Sequence, residues 1–272
     1  MDKRRRFRAR QTRPARRRTR RDQATFRSSP EPVVSVIIPV MNEHRTLGRV
    51  IREATKVHPK TEIIVVANGC TDRSAQLARK LGAIVLEYKE PLGHDVPRAV
   101  GARQAKGEVL LFLDGDMVIP AKDLRPFTAA ILSGSDLALN DYEGPVQTRE
   151  VHPVVSAKHT LNTLLNRSDL KGASLTAVPH ALSRQAASRI GYEKLEKPPL
   201  AQTAAILEGL KIRPVHSVDV GRLNRPRLRS KHGDLLTGLV LGDHLEAAGL
   251  AMKQRGPRGG FSDLGRLRER AR

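Results

Sequence analysis

Two aspartates one residue apart, Asp114 and Asp116, follow the apolar run of residues 110–113 (LLFL). Carboxylates at the end of a buried strand are costly unless something offsets their charge. A divalent cation is the natural partner, because hard oxygen ligands suit Mg²⁺ or Mn²⁺. Gly115 between them adds no side-chain bulk and lets the backbone approach closely. The plainer alternative is a turn, in which Asp and Gly are common; the position directly after an apolar run favours the metal. Two more polar loops follow apolar runs in the same way, residues 39–43 (PVMNE) and residues 68–72 (NGCTD).

Three loops of this kind meet only if the strands before them run side by side. Residues 34–39, 62–67, 83–87 and 108–113 are short, apolar and rich in β-branched residues, as buried strands are. Between them apolar residues recur at helical spacing: Leu47, Val50, Ile51, Ala54 and Val57, then Ala75, Leu77, Ala78 and Leu81, with Asp72 as cap and Gly82 as stop. Residues 99–106 form a third helix, stopped by Gly107. Alternating strands and helices with short loops predict an α/β fold with a mostly parallel twisted sheet flanked by helices and right-handed crossovers. In such a sheet ligands bind outside the carboxyl ends of the strands, where the three loops converge. The second half is less regular. Helices are expected around 155–166, 200–210 and 235–251, and a strand over 212–220, interrupted by Pro214. This half is expected to pack at the sheet's other end and close over the first.

The chain of 272 residues carries 49 Lys+Arg against 28 Asp+Glu, a net charge of +21, with 39% apolar residues, 3% aromatics, no Trp and one Cys. The single Cys excludes an internal disulfide framework and a thiolate zinc site. Scarce aromatics argue against a stacking platform for single-stranded nucleic acid or sugar rings. No apolar run reaches the ~18 residues of a membrane span. Residues 1–28 hold 13 Lys+Arg and two Asp, which is +11 of the total. With little to bury, the tail over residues 1–30 is expected to be disordered. It lacks the apolar stretch of an export signal, so the expected location is cytoplasmic, with peripheral attachment to a membrane as a variant. Its partner by charge is a polyanion: an anionic membrane surface, an anionic glycopolymer or a nucleic acid. The domain reading is the tail, then 31–225 as one domain of two halves (31–120 and 121–225), then a basic helical extension over 226–272.

Residues 34–43 (VSVIIPVMNE), 63–72 (IIVVANGCTD), Gly93 through Arg98 to Gly101, and 105–116 (AKGEVLLFLDGD) occur in the order and spacing of a known family. The chain resembles a family 2 glycosyltransferase of the GT-A fold over about residues 33–120. The resemblance weakens beyond, although residues 178–184 (VPHALSR) resemble the loop that floors the sugar site. It implies a bacterial-type, metal-dependent transferase moving a sugar from a nucleotide-sugar donor, UDP-sugar favoured over a guanosine donor, to an acceptor hydroxyl. It implies that Pro39, Val40, Asn42, Glu43, Asn68 and Asp72 hold the nucleoside, and that Arg98 reaches the base or diphosphate. Asp114, with Gly115, would bind the ribose or the metal, and Asp116 would ligate Mn²⁺ or Mg²⁺. His180 would touch the donor sugar, and His232 or His244 would complete the metal shell. Ala67 and Asn68 stand where the family usually has Asp. Ala67 offers no hydrogen bond, whereas Asn68 offers donor and acceptor. The acidic pair and Gln-x-x-Arg-Trp stretch of processive members are absent, so a non-processive enzyme is expected.

An inverting transfer needs a carboxylate to take the acceptor's proton. Glu196, or else Glu193, falls where the family places it, before a helix starting near Pro199; both stand beside Lys194 or Lys197 as solvated carboxylates would. Cys70, where the family usually has Ser, reads as a small hydrogen-bonding residue. The competing reading is a catalytically silent GT-A protein that binds nucleotide sugar, or a polyanion through its tail. A nucleotidyltransferase ranks last, since residues 39–43 lack its glycines.

Overall fold

The computed structural model of the protein describes residues 26–223, 235–267 and 270. Seven strands form one sheet in the order β3-β2-β1-β4-β6-β5-β7. They are β1 (Val34–Val40), β2 (Thr61–Asn68), β3 (Ile84–Tyr88), β4 (Val109–Phe112), β5 (Leu137–Asn140), β6 (His180–Ser183) and β7 (Ile212–His216). The helices are α1 (Leu47–Ala54), α2 (Ser74–Lys80), α3 (Val96–Gln104), α4 (Ala121–Leu132), α5 (Pro153–Leu164), α6 (Arg184–Ile190), α7 (Pro198–Leu207), the single turn α8 (Val220–Leu223) and α9 (Leu235–Arg255). All strands share one direction except β6, which runs antiparallel to β4 and β5. The expected α/β sheet, mostly parallel and flanked by helices, is therefore present.

The four strands read from the sequence fold where their apolar runs lie. Every residue of β2 and β4 is buried, as a central parallel strand covered by helices on both faces requires. Gly101 lets α3 sit directly on β1, since a Cβ there would lie 2.5 Å from Ile37 Cγ2. Pro39 ends the pairing of β1 with β4. Residues of its parity face β4, as Ile37 does in accepting from Leu113 N at 3.1 Å. Pro39 lacks that N–H and lies past the last pair, Ile37 with Phe112. The two strands diverge there, and the crevice opens between them.

The second half widens the same sheet through β6, β5 and β7, so its core is continuous with that of the first half. The expected strand over 212–220 stops at His216, and residues 217–219 turn onto Asn140. That buried amide donates to Val178 O and Val218 O at 2.9 and 3.0 Å and accepts from Val218 N at 2.9 Å. It fastens the loop before β6 to the one after β7. Helix α4 forms although Pro126 lies inside it. Burial of Leu124, Phe127 and Ile131 against the sheet outweighs the lost backbone bond. Helix α9 packs on α5 and α7, with Ala247 and Ala251 in the shared core.

Residues 1–25 of the arginine-rich tail and residues 224–234, which include His232, lie outside the described residues. The stretch expected to be disordered reached residue 30. Residues 26–30 are instead docked: Ser28 Oγ donates to Gly82 O at 3.2 Å, Ser29 N donates to Thr61 O at 2.9 Å, and Phe26 packs on the core. No helix among the described residues is long and apolar enough to cross a membrane.

Candidate active site

The loops after β1, β2 and β4 meet at one edge of the sheet around a cavity of about 420 Å³. Of the residues expected at the donor, Pro39, Val40, Glu43, Asn68, Arg98, Asp114, Gly115 and Asp116 line it. The sequence reading missed Met41 and His94, which line it as well. The signal for His94 was its place just after Pro91–Gly93 in the loop that enters α3 at the same sheet edge.

Arg98 organises the cavity from the first turns of α3. Its guanidinium is buried, with Nε donating to Asp95 Oδ1 at 2.8 Å and Nη2 to Asp114 Oδ1 at 2.9 Å. Burial opposes its charge, but Asp114 and Asp95 outweigh this and push the pKa above its ordinary value. The third nitrogen, Nη1, is buried and has no hydrogen-bond partner. Arg98 lines the cavity, so its guanidinium places positive charge at the wall.

The Asp114–Asp116 turn is held against the β1 loop. Thr46 Oγ1 donates to Gly115 O at 2.9 Å, and a Cβ on Gly115 would lie 3.0 Å from Val40 Cγ2. A side chain there would make Val40 give way by a few tenths of an ångström. Asp116 is half-buried at the cavity wall. Glu43, Asp114 and Asp116 thus face a cavity in which Arg98 is the one permanent cation among the lining residues. Among the described residues no three His, Cys, Asp or Glu side chains gather into a metal cage. The donor set nonetheless fits Mg²⁺ or Mn²⁺, which are held by one or two carboxylates and complete their shell with ligand phosphates and water.

Several residues expected at the donor serve the scaffold instead. Asn42, at φ 62°, accepts from Thr71 N at 2.8 Å and Asp72 N at 3.1 Å. Asp72 accepts from Ser74 N at 2.8 Å and pairs with His44 Nδ1 at 3.0 Å. Burial raises the Asp72 pKa, but the bonds from Ser74 and His44 prevail and hold it below its ordinary value. The two residues staple the β1 and β2 loops together and do not line the cavity. Asn68 lines it, yet both ends of its amide are used: Nδ2 donates to Gly93 O at 2.9 Å and Oδ1 accepts from Leu92 N at 2.6 Å. In this conformation it shapes the 91–93 loop, with one amide hydrogen given to Gly93 O and the second still available. Cys70 Sγ donates to Val40 O at 3.2 Å, and burial pushes its thiol pKa up, in keeping with a hydrogen-bonding role.

His180 belongs to β6 and lies under the cavity floor, 2% exposed, stacked on Phe112 with ring centroids 5.0 Å apart. Burial, helped by the positive charge of Arg98, pushes its pKa from 6.5 down to about 3. It is a neutral ring within the electrostatic reach of Arg98 and does not line the cavity. The unfolded chain takes up this proton more readily, so stability falls as pH drops from 6.5 towards 3. His180→Leu is expected to flatten that acid limb in a series of melting temperatures against pH; a limb of unchanged slope would exclude a neutral His180.

Glu193 and Glu196 lie in a 3₁₀ turn, Tyr192–Glu196, and do not line the cavity. Glu196 approaches Arg103 Nη2 at 3.8 Å, and Glu193 bonds Lys194 Nζ at 3.0 Å. Arg103 is in the last turn of α3, whereas Arg98 faces the cavity from its start, so both glutamates gather at the helix end away from the cavity. His244 is 6% exposed in α9, its Nδ1 bonded to Val240 O at 2.7 Å and its Nε2 without a partner. It does not join Asp114 and Asp116 in a three-residue group. Its neighbour Asp243 was missed: a buried carboxylate whose pKa rises through burial, with Asp95 and Glu246 adding to the rise and His94 opposing it. Apart from Glu246 on the same helix, the groups that act on it come from distant parts of the chain, Asp95 and His94 from the loop before α3 and Lys197 from the start of α7.

Among curated proteins the chain is 37% identical over 93 residues to glycosyltransferase AglE of Haloferax volcanii, covering 31% of each chain. It is 25% identical over 147 residues to 4,4'-diaponeurosporenoate glycosyltransferase of Staphylococcus haemolyticus, covering 52% of this chain and 38% of the relative. It is 28% identical over 122 residues to undecaprenyl-phosphate 4-deoxy-4-formamido-L-arabinose transferase of Pseudomonas fluorescens, covering 41% and 36%. The matched regions span about a third of the length of these relatives. Among solved structures, glucosyl-3-phosphoglycerate synthase of Mycobacterium tuberculosis, in complex with Mn²⁺, UDP and glucosyl-3-phosphoglycerate, superposes with a TM-score of 0.61 at 20% identity over 80% of both chains. That likeness is one of fold, the GT-A arrangement. Residues 35–187 match the model of glycosyl transferase family 2. With more than half its length within that match, and with the strand-end loops built as described, the chain belongs to glycosyl transferase family 2.

Proposed function

We propose that the protein transfers a sugar from a nucleotide-sugar donor, a UDP-sugar in the first instance, to an acceptor hydroxyl, with inversion and without processivity. The observation that carries this is the charge of the cavity. Glu43, Asp114 and Asp116 line it with Arg98 as the one permanent cation, so a diphosphate enters only with a further cation that offsets the carboxylates. Asp116 and Asp114 would hold that Mn²⁺ or Mg²⁺, which supplies positive charge to the departing diphosphate. Arg98 would offer its guanidinium charge to a phosphate oxygen, and Asp95 keeps the guanidinium oriented. The name of the Pseudomonas fluorescens relative makes a lipid phosphate the acceptor to try beside hydroxyls.

The test is a thermal-shift screen of UDP- and GDP-sugars with Mn²⁺, followed by measurement of nucleotide release. A bound donor at a hundredfold excess over its Kd stabilises by ~2.7 kcal/mol, and chelation of the metal should abolish the shift. No shift with any donor in Mn²⁺ would sink the proposal. The second reading, a silent nucleotide-sugar binder, is favoured by Ala67, whose side chain offers no hydrogen bond. It prevails if calorimetry detects donor binding but no nucleotide is released with any acceptor.

A further inference from the structure

Half of the large apolar side chains that the described residues expose lie between residues 236 and 267. Helix α9 accounts for much of this. Its inner face buries Val240, Ala247 and Ala251. Its outer face carries Gly238, Gly242, Leu245, Gly249 and Met252 at alternating spacings of four and three, the spacing of one helical stripe. Leu245 is 75% exposed, and a Cβ on any of the three glycines would meet nothing within 4 Å. Past the helix the apolar exposure continues, with Leu264 at 88% and Leu267 at 61%. Contiguous exposure of this kind marks a surface that something covers.

Charge decides what covers it. Residues 221–272 hold twelve Lys+Arg against five Asp+Glu. Basic residues follow the stripe in the chain: Arg255, Arg258 and Arg266. The acids of α9 do not oppose this balance, because Asp243 is buried and Glu246 is paired with Lys197. A second copy would bring an equally basic face against the first, in a chain of net charge +21. An anionic lipid surface satisfies both features, taking the apolar side chains at the level of the headgroups while its charge meets the flanking arginines.

We propose that the outer face of α9, with the segment 261–267, docks on an anionic membrane surface. This goes beyond the transfer reaction and does not rest on it. The test is co-sedimentation of the full chain with phosphatidylcholine vesicles with and without phosphatidylglycerol. Binding is expected only with phosphatidylglycerol. Leu245→Glu with Leu264→Glu is expected to weaken it roughly tenfold or more, by removing inserted apolar area and adding like charge. Met252→Glu is the independent second variant. These side chains are exposed, and an unchanged melting temperature confirms that the fold is kept. Retention of full binding by both variants would assign attachment to the arginine-rich tail and overturn the proposal. So would equal binding to neutral vesicles, no binding at all, or a dimer in lipid-free sedimentation that the variants dissociate.

Discussion

Asp116→Ala is expected to lower metal-dependent nucleotide release by about 10²–10³-fold, the scale of losing one preorganised group that stabilises transition-state charge, while leaving the melting temperature nearly unchanged. Asp116 is half-buried at the cavity wall, at the end of a strand that four fully buried residues hold in place. Its removal therefore takes away charge without opening the core. Asp116→Asn keeps the shape and removes the charge, so its release should recover in part as Mn²⁺ is raised. Asp114→Asn should behave differently, because Asp114 also accepts from Arg98 at 2.9 Å. It is expected to lose both activity and stability. Nucleotide release by Asp116→Ala at the rate of the unaltered chain would remove the metal from the mechanism.

Arg98→Met is expected to destabilise the protein by about 3–5 kcal/mol, the scale of breaking a buried ion pair by deleting one partner. For a chain of this size that corresponds to a fall in melting temperature of roughly 6–20 °C. Asp95 is the reason. It is buried and receives Nε of Arg98 at 2.8 Å, so Met leaves its carboxylate without a countercharge. Arg98→Lys keeps a charge but loses the planar fork that spans Asp95 and Asp114, and an intermediate loss is expected. Adding Asp95→Asn to Arg98→Met should restore part of the stability, because the uncompensated charge is then gone. The same pair of variants separates folding from binding, since donor affinity should stay low in the double variant. Melting curves and donor titrations of the three proteins decide it. Arg98→Met melting like the unaltered chain would mean that the triad does not hold the cavity together.

The first half was legible because its signals are local. The apolar runs of β1 to β4 and the polar loops after them are adjacent in the chain, and a parallel sheet carries every such loop to one edge. Asp114, Gly115 and Asp116 were found for this reason, and Arg98 through the family resemblance. Beyond residue 120 the signals weaken. Strand β6 is four residues long and α4 contains a proline, so neither announces itself. The glutamates sought at 193 and 196 illustrate the same limit. Their spacing to α7 was right, but the 3₁₀ turn that bears them packs near the end of α3 marked by Arg103.

Residue order alone determined the α/β alternation, the sheet edge that carries the cavity, and the acidic doublet at its centre, because strand direction and hydrophobic period are properties of neighbouring residues. Tertiary structure alone decided which polar groups are spent and which remain available. Asn68, Asn42 and Asp72 each looked able to hold a ligand, and each bonds a loop from another part of the chain. Nη1 of Arg98 and the carboxylate of Asp243 acquire their character from burial among residues distant in sequence. A hydrogen bond is satisfied by whatever lies within about 3 Å of it in space, and that distance is set only when the whole sheet has closed.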